Sequence, residues 1–121
     1  PYVPDLAQLD YELRPVLWVE CGECSIAKLH KLAVKAHDAE IWVIKKSLPA
    51  AEETIHAMRR EKLRANRYQI IGLDHPTFEE ICLQIQSRND LFWSRGTFDP
   101  PEMQFDLNQS WFELPFTILR H

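Results

Sequence analysis

Val16-Leu-Trp-Val-Glu20-Cys-Gly-Glu-Cys-Ser25-Ile-Ala-Lys-Leu-His-Lys31 is the stretch from which the fold can be read. Its apolar start, rich in β-branched and aromatic residues, predicts a buried strand over 16–20. The strand ends on the carboxylate of Glu20, the chain passes through Gly22, and Ser25 is placed to cap a helix running to Ala36. Ile26, Leu29, Ala33 and Ala36 recur on one apolar face with Leu32 near its edge, while Lys28, Lys31 and Lys35 fall on the opposite stripe. A second apolar run, Glu40 to Lys46, completes strand, helix, strand. That order predicts parallel strands joined by a right-handed crossover.

Outward from this unit the pattern continues. A helix opens at Ser47 with Pro49 in its first turn and ends in the basic run Arg59 to Arg67. Tyr68 to Leu73 reads as a third strand and Pro76 to Gln86 as a third helix. Leu91 to Phe98, Met103 to Leu107 and Ser110 to Phe116, separated by Asp99-Pro-Pro and Asn108-Gln109, read as an antiparallel tail. Before Val16, prolines at 1, 4 and 15 mark an extended leading stretch with room for one short strand. The expected fold class is therefore α/β: a mixed β-sheet with a βαβ unit, flanking helices and an antiparallel C-terminal meander.

With 121 residues the chain suits one domain. A net charge of −4 gives the molecule as a whole no attraction for nucleic acid, leaving only local basic patches to supply it. No apolar run reaches membrane-span length and no cleavable leader is visible, so no membrane partner is expected and the expected compartment is the cytoplasm. Three cysteines are too few for a secreted disulfide scaffold.

Glu20 with Asp5 upstream is the first chemical candidate. Two carboxylates converging at a strand terminus suit Mg²⁺, a hard cation that takes oxygen ligands and keeps several waters. Such an ion polarises a phosphodiester and generates hydroxide near neutral pH, and a neighbouring lysine steadies charge on phosphorus. Lys31 could reach back only if its stripe faces the cleft. The bland alternative is that strand-end acids and helix lysines are solvated surface.

Cys21-Gly-Glu-Cys24 is the second candidate. A CxxC between a strand and a helix N-terminus is where redox pairs sit, the helix dipole lowering the first thiol's pKa. No later Val/Thr-Pro segment supplies the cis-proline that thioredoxin-like folds need. Zinc would require further ligands, and His30 and Cys82 bring no second pair at zinc spacing. Cys82, on the apolar face of the third helix, reads as a small core residue. The run Arg59 to Arg67 could track a phosphate backbone, but cations are also favoured at a helix C-terminus. Trp42, Trp93 and Trp111, in predicted strands, are expected in the core or on a sheet face.

Val3-Pro-Asp-Leu6, Asp10, Leu17-Trp-Val-Glu-Cys-Gly22 and the helical Lys31 together resemble the YaeQ family. Its proteins carry a Glu-Pro-x-Leu-Trp segment, a Trp-Ile-Glu/Asp-x-Gly strand end and a helix with a basic pair. The likeness runs without a gap from Pro4 to Lys31 and continues more loosely to the end. YaeQ proteins belong to the restriction-endonuclease-like superfamily, named for a PD-(D/E)XK motif. The resemblance implies one restriction-endonuclease-like domain over 1–121 that lacks the family's leading segment. It implies Asp5 and Glu20 as the acidic pair, the backbone carbonyl of Cys21 as a further metal ligand, Mg²⁺ as cofactor and DNA as partner. Lys31, with Lys28 second in line, would be the migrated catalytic lysine, since Gly22 occupies the motif's own lysine position. Val3 and Ala7 stand where the family has Glu and Trp, and Cys24 where it has Pro. The expected activity is thus a Mg²⁺-dependent nuclease with a degenerate site. The alternatives are an inactive nucleic-acid- or protein-binding module of the same fold, and a CxxC thiol protein.

Overall fold

The computed structural model describes residues 2–121. The N-terminal half alternates β1 (Leu6–Leu9), β2 (Pro15–Cys21), α1 (Ile26–Lys35), β3 (Glu40–Lys45), α2 (Leu48–Arg60) and β4 (Tyr68–Leu73). Then follow α3 (His75–Gln84), β5 (Leu91–Phe98), β6 (Pro101–Leu107) and β7 (Ser110–Arg120). All seven strands form one sheet in the order β1-β2-β3-β4-β7-β6-β5. β2, β3 and β4 are mutually parallel, and every other pairing is antiparallel.

The helices start where side chains satisfy their orphan amides. Ser25 caps α1 by accepting from the Lys28 amide, Ser47 caps α2 by accepting from that of Ala50, and Asp74 caps α3 by accepting from that of Thr77. Leu29, Leu32 and Ala33 of α1 and Ala51, Ile55 and Met58 of α2 are buried against Trp18, Ile41, Val43, Tyr68 and Ile70. Each large aliphatic side chain in that layer gains about 1.5–3 kcal/mol from leaving water. Gly72 admits α2 to the sheet: a Cβ there would lie 2.9 Å from Leu48 Cα.

One member of the basic run is internal. The Arg67 guanidinium donates to the carbonyls of Ala33 (2.9 Å), Ala36 (2.9 Å) and Ala39 (3.2 Å), so it closes the C-terminal end of α1. Arg59, Arg60, Lys62 and Arg64 are exposed.

The meander is longer than its sequence pattern. β7 continues past Phe116 because it serves two neighbours, with Ser110–Pro115 paired to β6 and Phe116–Arg120 to β4. Pro115, which has no amide hydrogen to give, stands at the changeover. The far end of β5 curls back over the sheet, where Phe98 meets Trp42 of β3 edge-on at 5.5 Å and Phe116 at 6.1 Å. Phe105, Leu107, Phe112 and Leu114 form a second core with Leu73 and Ile81 against it.

One expectation about packing needs correction. Cys82 is exposed: Ile81 is the residue of α3 that packs against the second core, and no residue of the helix is buried. Trp93 and Trp111 lie on sheet faces, each 52% exposed, with Trp93 stacked on Phe105 at 6.2 Å.

Candidate functional site

The end of β2 is built by alternation. Trp18 and Glu20 share one face of the strand, and that face meets α1. On the other flank β1 runs antiparallel with Leu6 opposite Val19, and the Asp5 amide donates to the Val19 carbonyl at 3.1 Å. Asp5, a bend just before β1, is thereby tied to the end of β2. The β1–β2 turn is shaped by Asp10, whose Oδ1 accepts from the amides of Glu12 and Arg14, both at 2.9 Å.

Glu20 is the one buried charged residue among the described residues, 4% exposed. A buried carboxylate must be paired and hydrogen-bonded. Its Oε1 accepts from the Trp18 indole Nε1 at 2.8 Å and from Lys28 Nζ at 3.1 Å. The hydrogen bond that Lys28 donates to Glu20 holds its ammonium above its ordinary pKa, outweighing the partial burial that acts the other way. Asp5 Oδ2 accepts from the Cys21 amide at 2.7 Å.

The amine beside the acid is therefore Lys28. Lys31 is exposed. At 100° per residue, Leu29, Leu32 and Ala33 centre the buried stripe so that Lys31 points about 150° away and Lys28 only about 90°. Counting Leu32 as a full member of the apolar face, and not as its edge, is the signal that selects Lys28.

Gly22 adopts φ +78°, a left-handed conformation that suits glycine, and it turns the chain from β2 towards α1. Its carbonyl accepts from Lys45 Nζ at 2.7 Å. Lys45 thus brings a second amine to the strand end, and no motif spacing announced it. Trp18 could have been found, since period-2 alternation puts it on the face of Glu20.

Cys21 and Cys24 are free thiols. Burial pushes the Cys21 thiol up, and the carboxylates of Asp5 and Glu20 push it further. Burial and Glu20 likewise raise Cys24 against the opposing pull of Lys28 and Lys45. The expected lowering of the first thiol by the helix dipole is overridden by burial, with the two acids beside it adding to the rise.

A cleft of about 960 Å³ opens at the C-terminal ends of β2, β3 and β4, where α/β sheets place their sites. Cys21, Cys24, Lys45, Lys46 and Thr54 are among the residues lining it. Asp5, Glu20 and Lys28 stand outside this lining, so the acidic pair and the cleft are neighbours that meet at Cys21.

Among the described residues no group of three or more His, Cys, Asp and Glu side chains is placed to hold a metal. The candidate is a smaller set: Asp5, Glu20 and the Cys21 carbonyl, oxygens only. After the bonds above, each carboxylate keeps one oxygen, Oδ1 of Asp5 and Oε2 of Glu20. That donor chemistry fits a hard cation that retains several waters. His30, on α1, lines a small hollow with Arg60, Glu61 and Leu63 near the end of α2.

No protein-family model matches the sequence, and no curated protein does. Among solved structures, the chain is similar to the YaeQ protein from Xanthomonas axonopodis pv. citri, with a TM-score of 0.64, 25% identity and 97% of this chain covered. It is also similar to the YaeQ protein from Pseudomonas syringae, with a TM-score of 0.72, 14% identity and 98% covered. The chain spans 63% and 62% of the length of those proteins.

Proposed function

From the relationship of this chain to the YaeQ proteins, which share its fold over nearly its whole length, we propose a restriction-endonuclease-like protein that hydrolyses phosphodiesters of DNA with Mg²⁺. The observation that carries the reading is the strand end. A buried glutamate with one oxygen tied to Trp18 and Lys28, and an aspartate with one oxygen tied to the Cys21 amide, both stand near Cys21.

Asp5, Glu20 and the Cys21 carbonyl are the residues that would hold the ion. Bound Mg²⁺ supplies charge neutralisation at the phosphate and a more acidic water. The chain's own residues do the rest. The Trp18 N–H and the Cys21 amide fix the two carboxylates in orientation before any ligand arrives, which avoids reorganisation during the reaction. Lys28 keeps its proton beside Glu20 and offers positive charge next to the site. Lys45 and Lys46 stand at the adjoining cleft, where a phosphate backbone would meet them.

The test is cleavage of supercoiled plasmid and of a single-stranded oligonucleotide with Mg²⁺ or Mn²⁺. Wild type cuts, Asp5→Ala and Glu20→Ala each lose activity by about 10²-fold or more, Lys28→Ala loses a comparable factor, and Lys31→Ala stays within about twofold. Salt-sensitive DNA binding without cleavage by any divalent ion would replace the nuclease with a binding module of the same fold. The raised thiols of Cys21 and Cys24 weigh against redox chemistry, which needs a ready thiolate.

A further inference from the structure

α2 ends on a surface of one sign. Arg59 and Arg60 close the helix and Lys62 and Arg64 follow it; all four are exposed, and none is in an ion pair among the described residues. Glu61 is the single acid among them. α1, whose His30 shares a hollow of about 460 Å³ with Arg60, carries no acidic residue. Ala50, Thr54 and Ala57 of α2 line the cleft, so these cations begin within one helical turn of its edge.

The charges are held in place by the backbone. The helix stops in a Schellman turn, in which the Lys62 amide donates to the Arg59 carbonyl at 3.1 Å and the Leu63 amide to that of Met58 at 3.0 Å. Leu63 and Met58 are both buried in the first core, and the His121 imidazole donates to the Leu63 carbonyl at 3.0 Å. Arg67 then ties the chain to α1. Between those anchors the backbone of Lys62 and Arg64 is ordered before any partner arrives. At φ +55°, Lys62 occupies the left-handed site where helices usually place glycine, and a side chain there carries a steric cost that glycine would not. Attraction to the helix dipole is confined to the last turn, so it accounts for Arg59 and Arg60 and leaves Arg64 without a role.

We propose that Arg59, Arg60, Lys62 and Arg64 form a rigid ledge that binds the phosphate backbone of duplex DNA without sequence preference. Arginine forks match phosphate oxygens, and charges ordered beforehand lose little freedom on binding. Residues 59–66 hold no aromatic side chain on which unpaired bases could stack and no exposed large apolar one that could enter a bilayer. Phosphates repeated along a duplex answer a row of cations alone. The ledge shares with the nuclease reading only the choice of DNA, and it needs neither metal nor cleavage.

The experiment is fluorescence polarisation with a short labelled duplex of mixed sequence, in EDTA, across a series of KCl concentrations. Wild type binds, and log K falls against log salt with a slope of about −3 to −4, as four neutralised phosphates require. Arg60→Gln/Arg64→Gln brings that slope about 2 nearer zero and weakens binding about tenfold or more at low salt. Arg88→Gln/Arg95→Gln, the same loss of charge on β5 and the loop before it, leaves the slope within about 0.5. Lys62→Gly separates binding from folding: its urea midpoint holds or rises, because glycine suits the left-handed site, while duplex affinity falls about three- to tenfold. Equal slopes for the two arginine pairs, or full affinity in Lys62→Gly, overturn the ledge. So does wild type that binds acidic peptide or phosphatidylserine vesicles and no duplex. Duplex binding of this pattern in EDTA, without cleavage once Mg²⁺ is added, upholds the ledge and removes the nuclease.

Discussion

Lys28 and Lys31 differ by less than one helical turn, and the difference decides which one touches the acid. The ion pair has a pH signature. Glu20 raises the Lys28 pKa in the folded chain, so its contribution is fully present below the ordinary lysine value of about 10.4 and is lost as pH rises through the higher folded value. Urea midpoints should therefore fall more steeply on the alkaline side in wild type than in Lys28→Met/Glu20→Gln, and equal slopes would refute the pair's contribution. The thiols carry a second one. With Cys21 and Cys24 raised by burial and by the neighbouring acids, both should alkylate with iodoacetamide more slowly at neutral pH than a free cysteine of pKa about 8.5. Mass spectrometry after timed quenching reads this directly, and a fast-reacting Cys21 would contradict the assigned environment.

At the scale of the element, α1 is held at both ends by side chains. Ser25→Ala removes the cap on the Lys28 amide and should cost about 1 kcal/mol in urea denaturation. Arg67→Met removes the donor for three carbonyls at the other end and should cost about 2–3 kcal/mol. Arg67→Lys should recover less than half of that, because an ammonium cannot reproduce the planar fork. A loss within experimental error for Arg67→Met would mean that water replaces the guanidinium without penalty. In the sequence the same arginine belongs with Arg59, Arg60, Lys62 and Arg64 to one basic run. A run of charges in sequence does not distinguish the member that the chain folds inward.

Over the whole molecule, the second core and the open sheet faces predict opposite sensitivities. Phe105, 7% exposed and 5.8 Å from the Phe112 ring, should cost about 3–5 kcal/mol on substitution by alanine. Phe92, 75% exposed on β5, should tolerate serine within about 0.5 kcal/mol. Parallel chemical denaturation of the two variants checks the contrast, and a large loss at Phe92 would mean that its face is covered in solution.

The sequence by itself determined the order and type of nearly every element, because those follow from local causes: alternation in β2 and β4, a 3.6-residue stripe and serine caps for α1 and α2, turn residues in the meander. It also pointed to Asp5 and Glu20 through a string of short matches. The tertiary structure alone decided what depends on distance between segments. It let β7 bridge two neighbours and curled β5 until Phe98 met Trp42, since strand partners are chosen by the whole sheet. It turned Arg67 inward onto α1, brought Lys45 to Gly22 and chose Lys28 over Lys31, since side-chain direction is fixed only once a helix has seated its buried face. And it partly buried the CxxC beside two carboxylates, so that desolvation first and electrostatics across strands second, and not the motif's own spacing, set the state of its thiols.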